Sequence, residues 1–150
     1  MHKNILCKAK VLSYLAATLL VTLTLHVSAE VTIIGNKALS IESITAADVK
    51  KLWMTHKKPS GSKEKIRIVD AAATRATYAE FHKTLIGKSP KEIKVYWKKM
   101  MFAGRRFPPK SLDSDAEIID WVSSNDGAIA YVDPSSVDES VKVLLTSAGE

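Results

Sequence analysis

Four short runs of β-branched and other apolar residues, Val31 to Ile34, Ile66 to Val69, Ala128 to Val132 and Val141 to Leu145, constrain this chain more than any other feature. Each is of strand length, is bounded by turn residues, and lacks the polar alternation of a strand with one wet face. Strands of that kind are covered on both sides, as in sheets flanked by helices. The stretches between them supply the helices. Thr45 is placed to cap a helix with Asp48 in its first turn, and Val49, Leu52 and Trp53 then share one face. Thr74 is placed to cap a second helix, whose Tyr78, Phe81, Leu85 and Ile86 recur at helical spacing and which Gly87 stops. Ser89, Pro90 and Glu92 combine a capping box with proline at the first helical position. Ile93, Tyr96, Trp97, Met100 and Met101 are the expected buried stripe of that third helix, which Phe102 closes inward and Gly104 ends. A further capping box, Ser114 to Glu117, precedes Ile118, Ile119 and Val122. The order strand, helix, strand, three helices, strand, strand predicts an α/β domain with a small, mostly parallel or mixed sheet flanked by helices.

The first 29 residues read differently. Lys3, Lys8 and Lys10 lead into the nearly uncharged run VLSYLAATLLVTLTLHV, which closes on Val27, Ser28 and Ala29, a small-x-small cleavage signal. The run is shorter than the roughly 20 residues a spanning helix needs. The expectation is a cleavable secretory signal peptide over residues 1–29 and one small domain over residues 30–150, with no stable membrane anchor after cleavage. Cys7 lies ahead of the apolar run and cannot be a lipid-bearing cysteine, and residues 30–150 hold no cysteine for a disulfide or a thiolate. Without the three leader lysines, 19 lysines and arginines face 16 acidic residues, a net charge of +3. That mild balance suits an anionic solute. No nucleic-acid partner is expected, because the lysines of residues 57–65 have no aromatics between them and the export signal points away from the nucleoid.

Two histidines remain in residues 30–150. His82 follows Phe81 on a helix and reads as a flank residue at the edge of the core, while His56 sits in a lysine-rich loop and reads as solvated. With no histidine cluster, no G-x-S-x-G elbow, no P-loop and no G-x-G-x-x-G, neither a metal site, nor a cofactor, nor a catalytic residue is expected. Asp113 with Asp115, and Glu117 with Asp120, lie at a helix start, where carboxylates favour the helix dipole. The stretch that points to chemistry is Thr74, Arg75, Ala76 and Thr77, which follows the strand run through Asp70 and three alanines. A strand running into a helix presents free N–H groups at its carboxyl end, and these favour an anion. Small residues let a ligand approach, the two threonines offer hydroxyls, and Arg75 offers a fork for an oxyanion. The plainer alternative is a threonine cap beside a solvated arginine.

The segments ITAADVKKLWMTHKKPSGSKEKIRIVD, YAEFHKTLIG, VYWKKMMFAGRRFPP and GAIAYV, in that order and spacing, resemble the periplasmic phosphate-binding-protein-like family, the solute-binding components of phosphate ABC transporters, and above all their short, half-length relatives. The resemblance covers nearly all of residues 30–150. It implies a type II periplasmic-binding-protein fold, of which this chain has residues for about one lobe. It also implies phosphate or another small oxyanion as ligand, and an ABC permease or another envelope protein as partner. The family's phosphate site uses a serine-glycine-threonine helix start with an arginine four residues before the serine. Here Arg75, Ala76 and Thr77 stand at the first three positions and Ala71 at the arginine, so Thr77 alone is kept. Arg105 corresponds to the arginine of the short relatives' F-x-G-R, while Arg106 stands where glycine is usual. Arg105 is therefore expected to cap helix carbonyls or to face the cleft, and Arg106 to be solvated. Two functions follow: a solute-binding protein, or a periplasmic accessory domain that kept the fold and lost the ligand.

Overall fold

The computed structural model describes residues 30–147; the signal-peptide reading of residues 1–29 lies outside the described residues. The elements are β1 (Val31–Gly35), α1 (Ala46–Thr55), β2 (Arg67–Ala71), α2 (Ala76–Phe81) continuing into a π-helical turn (His82–Ile86), α3 (Pro90–Phe102), β3 (Lys110–Leu112), α4 (Asp115–Ser124), β4 (Ala128–Val132), a 3-10 turn (Pro134–Ser136) and β5 (Lys142–Ser147). The five strands form one sheet in the order β3-β2-β4-β1-β5. β2 runs parallel to β3 and β4, whereas β1 is antiparallel to both β4 and β5. Four strands therefore point one way and β1 the other, which makes the sheet mixed. β1 and β4 are buried along their whole lengths, Thr32 included, as mainly apolar central strands covered on both faces are.

One face of the sheet centre is aromatic. The Phe81 ring stacks on Tyr131 at 3.8 Å and 5°, and Trp53 closes the group at 4.9 Å from Phe81 and 5.9 Å from Tyr131. This cluster joins α1, α2 and β4, and the burial of its three large rings holds these elements together. At the carboxyl end of β1, the buried Asn36 amide donates to the carbonyls of Val122 (2.9 Å) and Ser123 (3.0 Å), satisfying the last turn of α4.

Local signals account for most helix boundaries. The Thr45 hydroxyl accepts from the Asp48 N–H at 3.1 Å. Ser89 and Glu92 form a reciprocal box at the start of α3. At α4 the Ser114 hydroxyl accepts from the Glu117 N–H, but the return bond to the Glu117 carboxylate comes from the Asp113 N–H at 2.9 Å, one residue earlier than a standard box. Three sequence expectations fail. β3 was not foreseen: its Lys-Ser-Leu sequence is polar because it pairs on one side only, at the sheet edge. Arg75, not Thr74, occupies the N-cap position of α2, and no side chain caps that helix. Met101 and Phe102 point outward rather than into the core. Phe102 lies nine residues, or two and a half turns, beyond the buried Ile93, on the opposite side of the helix.

The strand β4 begins immediately after Gly127, whose φ is +73°, and a Cβ there would lie on the Lys65 carbonyl oxygen. Both the left-handed backbone and the backbone contact exclude a side chain. Gly127→Ala should therefore lower stability by about 2 kcal/mol or more, read from the urea midpoint of unfolding.

Candidate functional site

The carboxyl ends of β2, β3 and β4 open onto one edge of the sheet, the usual place for ligands in open α/β folds. β2 leads into the turn that carries Thr74 to Thr77, β3 into the start of α4, and β4 into the Pro134–Ser136 turn. Thr74 and Ala76 are exposed, and Arg75 and Thr77 are half-buried. Arg75 Nη1 donates to Asp115 Oδ1 at 2.7 Å. The other oxygen of Asp115 accepts from Ser136 Oγ at 2.8 Å and from the Asp133 N–H at 3.3 Å. A guanidinium, a hydroxyl and a backbone N–H thus converge on one carboxylate. They form the kind of donor set that holds an oxyanion, with the side chain of Asp115 as the oxyanion. Asp133 has its pKa lowered, first by hydrogen bonds from the Ser135 hydroxyl and N–H and, further off, by Arg75. Beside this group lies a shallow hollow of about 420 Å³ bordered by Asp115, Ser136, Asp138 and Ser140.

Beneath the same turn is a buried polar group that the sequence reading did not assemble. The Tyr131 hydroxyl donates to Asp70 Oδ1, while its oxygen accepts from the Ala71 N–H at 3.2 Å. His82 Nε2 lies 3.3 Å from Asp70 Oδ2, and the His82 ring packs 4.3 Å from Tyr78. His82 is 1% exposed and Asp70 5%, so His82 is a core residue bound to a carboxylate rather than a flank residue. Neither group is reached from solvent, and together they fix the end of β2 from below. Burial, then the nearby Asp70 charge, push the Tyr131 hydroxyl pKa well up and that of Tyr78 up to about 12. The one available signal was Asp70 itself, an acid closing an apolar strand.

The remaining candidate, Arg105, is not part of this edge. β2 and β3 are parallel, with Lys110 opposite Val69, so the chain ahead of Lys110 lies toward the amino end of β2. There a cleft of about 500 Å³ is lined by Leu52, His56, Lys58, Lys65, Ile68 and Pro109. Arg105 is exposed, and its N–H donates to the Met100 carbonyl at 3.0 Å, so the backbone and not the guanidinium closes the helix. Arg106 is the more buried of the two, against expectation. His56 is exposed, as expected of its loop, while its backbone caps α1 in a left-handed conformation, φ 54°, and its ring stacks on Trp97 at 6.0 Å. Burial, then the Arg106 charge, lower its pKa. Among the described residues no group of three or more histidine, cysteine or acidic side chains is placed to hold a metal ion.

A mixed five-stranded sheet with flanking helices and an open carboxyl edge is the architecture of one periplasmic-binding-protein lobe. Solved structures of phosphate ABC transporter substrate-binding proteins share it. An ABC-type phosphate transport receptor from Vibrio cholerae matches with a TM-score of 0.60 at 19% identity, over 78% of this chain and 47% of that one. A Clostridium perfringens protein with bound phosphate, assigned to the phosphate ABC transporter substrate-binding proteins, matches at 0.62 and 20% identity, over 78% and 45%. PstS from Borrelia burgdorferi matches at 0.58 and 19%, over 77% and 47%. The chain spans about half the length of these proteins, and at such identities the likeness is one of fold. No protein-family model and no curated protein sequence matches the chain.

Two measurements follow from the ionisable groups. Both tyrosine pKa values are raised in the folded state, so the folded protein keeps protons that the unfolded chain loses above pH 10. Stability should hold up to about pH 10 and fall as the pH rises beyond it. Urea midpoints measured against pH should show this, with a shallower fall in Tyr131→Phe. At the other end, Arg106→Ala should raise the His56 pKa in a proton NMR titration and Arg105→Ala should leave it unchanged.

Proposed function

We propose that this chain is a periplasmic solute-binding-like lobe, a non-enzymatic relative of phosphate transporter substrate-binding proteins. Its ligand is phosphate or another small oxyanion, held at the turn Thr74 to Thr77. The observation that carries the reading is the start of α2. Its first N–H groups have no side-chain cap, they sit at the carboxyl edge of β2, and the Arg75 guanidinium lies beside them. The Clostridium perfringens protein of the same fold holds phosphate. An ABC permease or another envelope protein is the natural partner for such a lobe.

The second reading, an accessory domain that kept the fold and lost the ligand, is favoured by one observation: the Arg75 charge is already met by Asp115. Calorimetric titration with phosphate and with sulfate separates the two. Under the first reading, the wild type gives heat at millimolar ligand and Arg75→Ala gives none. Asp115→Ala, which frees Arg75 and the Ser136 hydroxyl, binds about tenfold more tightly. An absence of heat from both the wild type and Asp115→Ala retires the oxyanion reading in favour of the accessory domain.

A further inference from the structure

We propose that the outer face of α3 and the loop after it form a docking surface for an anionic lipid bilayer. The large hydrophobic side chains exposed among the described residues are Val95, Met101, Phe102, Phe107 and Val143, and the first four fall within residues 95–107. Phe102 is 91% exposed and Phe107 71%. On α3 the residues Lys91, Val95, Lys98 and Phe102 follow one another at helical spacing along the side opposite Ile93 and Trp97. The strip is cationic and apolar at once. It ends in a turn where Gly104 has φ +63° and a Cβ would meet nothing within 4 Å, so the two phenylalanines stand on either side of a projecting bend.

Charge is sorted in the same sense. Residues 50–110 carry 17 lysines and arginines against four acidic residues, and residues 111–147 carry one against eight. Among the described residues, neither the lysines of α3 nor Arg105 and Arg106 have a carboxylate within ion-pair distance. Unpaired cations around exposed rings fit a negative, partly apolar surface. A protein partner would need a pocket for each projecting ring. A bilayer needs none, because its acyl boundary takes in single aromatic side chains while headgroups meet the cations. No helix among the described residues is long and apolar enough to cross a membrane.

Co-sedimentation with vesicles tests this, with wild type and variants compared in the same exported, processed form. The wild type should bind vesicles containing about 30% phosphatidylglycerol in phosphatidylcholine and release from them at high salt. The partition should be about tenfold or more weaker on pure phosphatidylcholine and in Phe102→Ser/Phe107→Ser, a surface change that leaves the urea midpoint in place. Binding to neither vesicle overturns the proposal. So does binding that survives loss of both rings, which is charge adhesion alone. Capture by immobilised polyglutamate that requires both rings, without vesicle binding, would assign the surface to an acidic protein and overturn it as well.

Discussion

The Asp70 carboxylate sits at the buried end of an apolar strand, and much of the structure around the β2–α2 turn follows from satisfying it. Removing a carboxylate from water costs several kcal/mol unless partners replace the solvent. Two arrive from distant parts of the chain: the Tyr131 hydroxyl on β4 and the His82 ring. Neither is free to move. Tyr131 is held by the stacked Phe81 ring, and Phe81 is the residue before His82. Packing and polar contact are therefore set by one short piece of chain. The helix widens into its π turn at His82, the residue that carries the polar contact. The Tyr131 hydroxyl also takes the Ala71 N–H, so the strand end and the core aromatics are tied together.

The two ends of the sheet differ in charge. At the carboxyl edge Arg75 stands among Asp115, Asp133 and Asp138, whereas the opposite end carries Lys58 and Lys65 in a cleft, with Arg106 near its His56. Such a distribution gives the molecule a direction. A negative surface draws the basic end toward it and leaves the acidic edge facing away. An anion seeking the Thr74 to Thr77 turn meets a field that Arg75 alone does not reverse. The basic residues of α3 and its loop thus lie apart from the acidic carboxyl edge that carries the turn.

Four of the five strands were legible as short, mainly apolar runs, and the caps of α1, α3 and α4 because serine or threonine precedes an acid at fixed spacing. What was not legible required geometry. Met101 and Phe102 were read inward from their apolar character, but the 100° advance per residue carries Phe102 to the side away from Ile93. Arg105 and Arg106 were ranked by comparison with relatives, and the loop tucks the second one in. The bond between Tyr131 and Asp70 spans 61 residues, and that between Arg75 and Asp115 spans 40. No local pattern encodes either. The turn Thr74 to Thr77 was found as a strand-to-helix junction, but the carboxylate it faces was not.

That carboxylate decides what the site can do. The Asp115 side chain has one oxygen on the Arg75 guanidinium and the other on the Ser136 hydroxyl and the Asp133 N–H, the contacts a bound oxyanion would make. In a protein with two lobes, an incoming ligand is met by donors from both sides, and their sum can displace an internal competitor. Asp115, tethered at the start of α4, is present at the Arg75 guanidinium at high effective concentration. A free oxyanion must outcompete it. Under the proposed reading, the ion pair of Arg75 with Asp115 weighs more on what the turn can hold than the threonines and alanines that shape it.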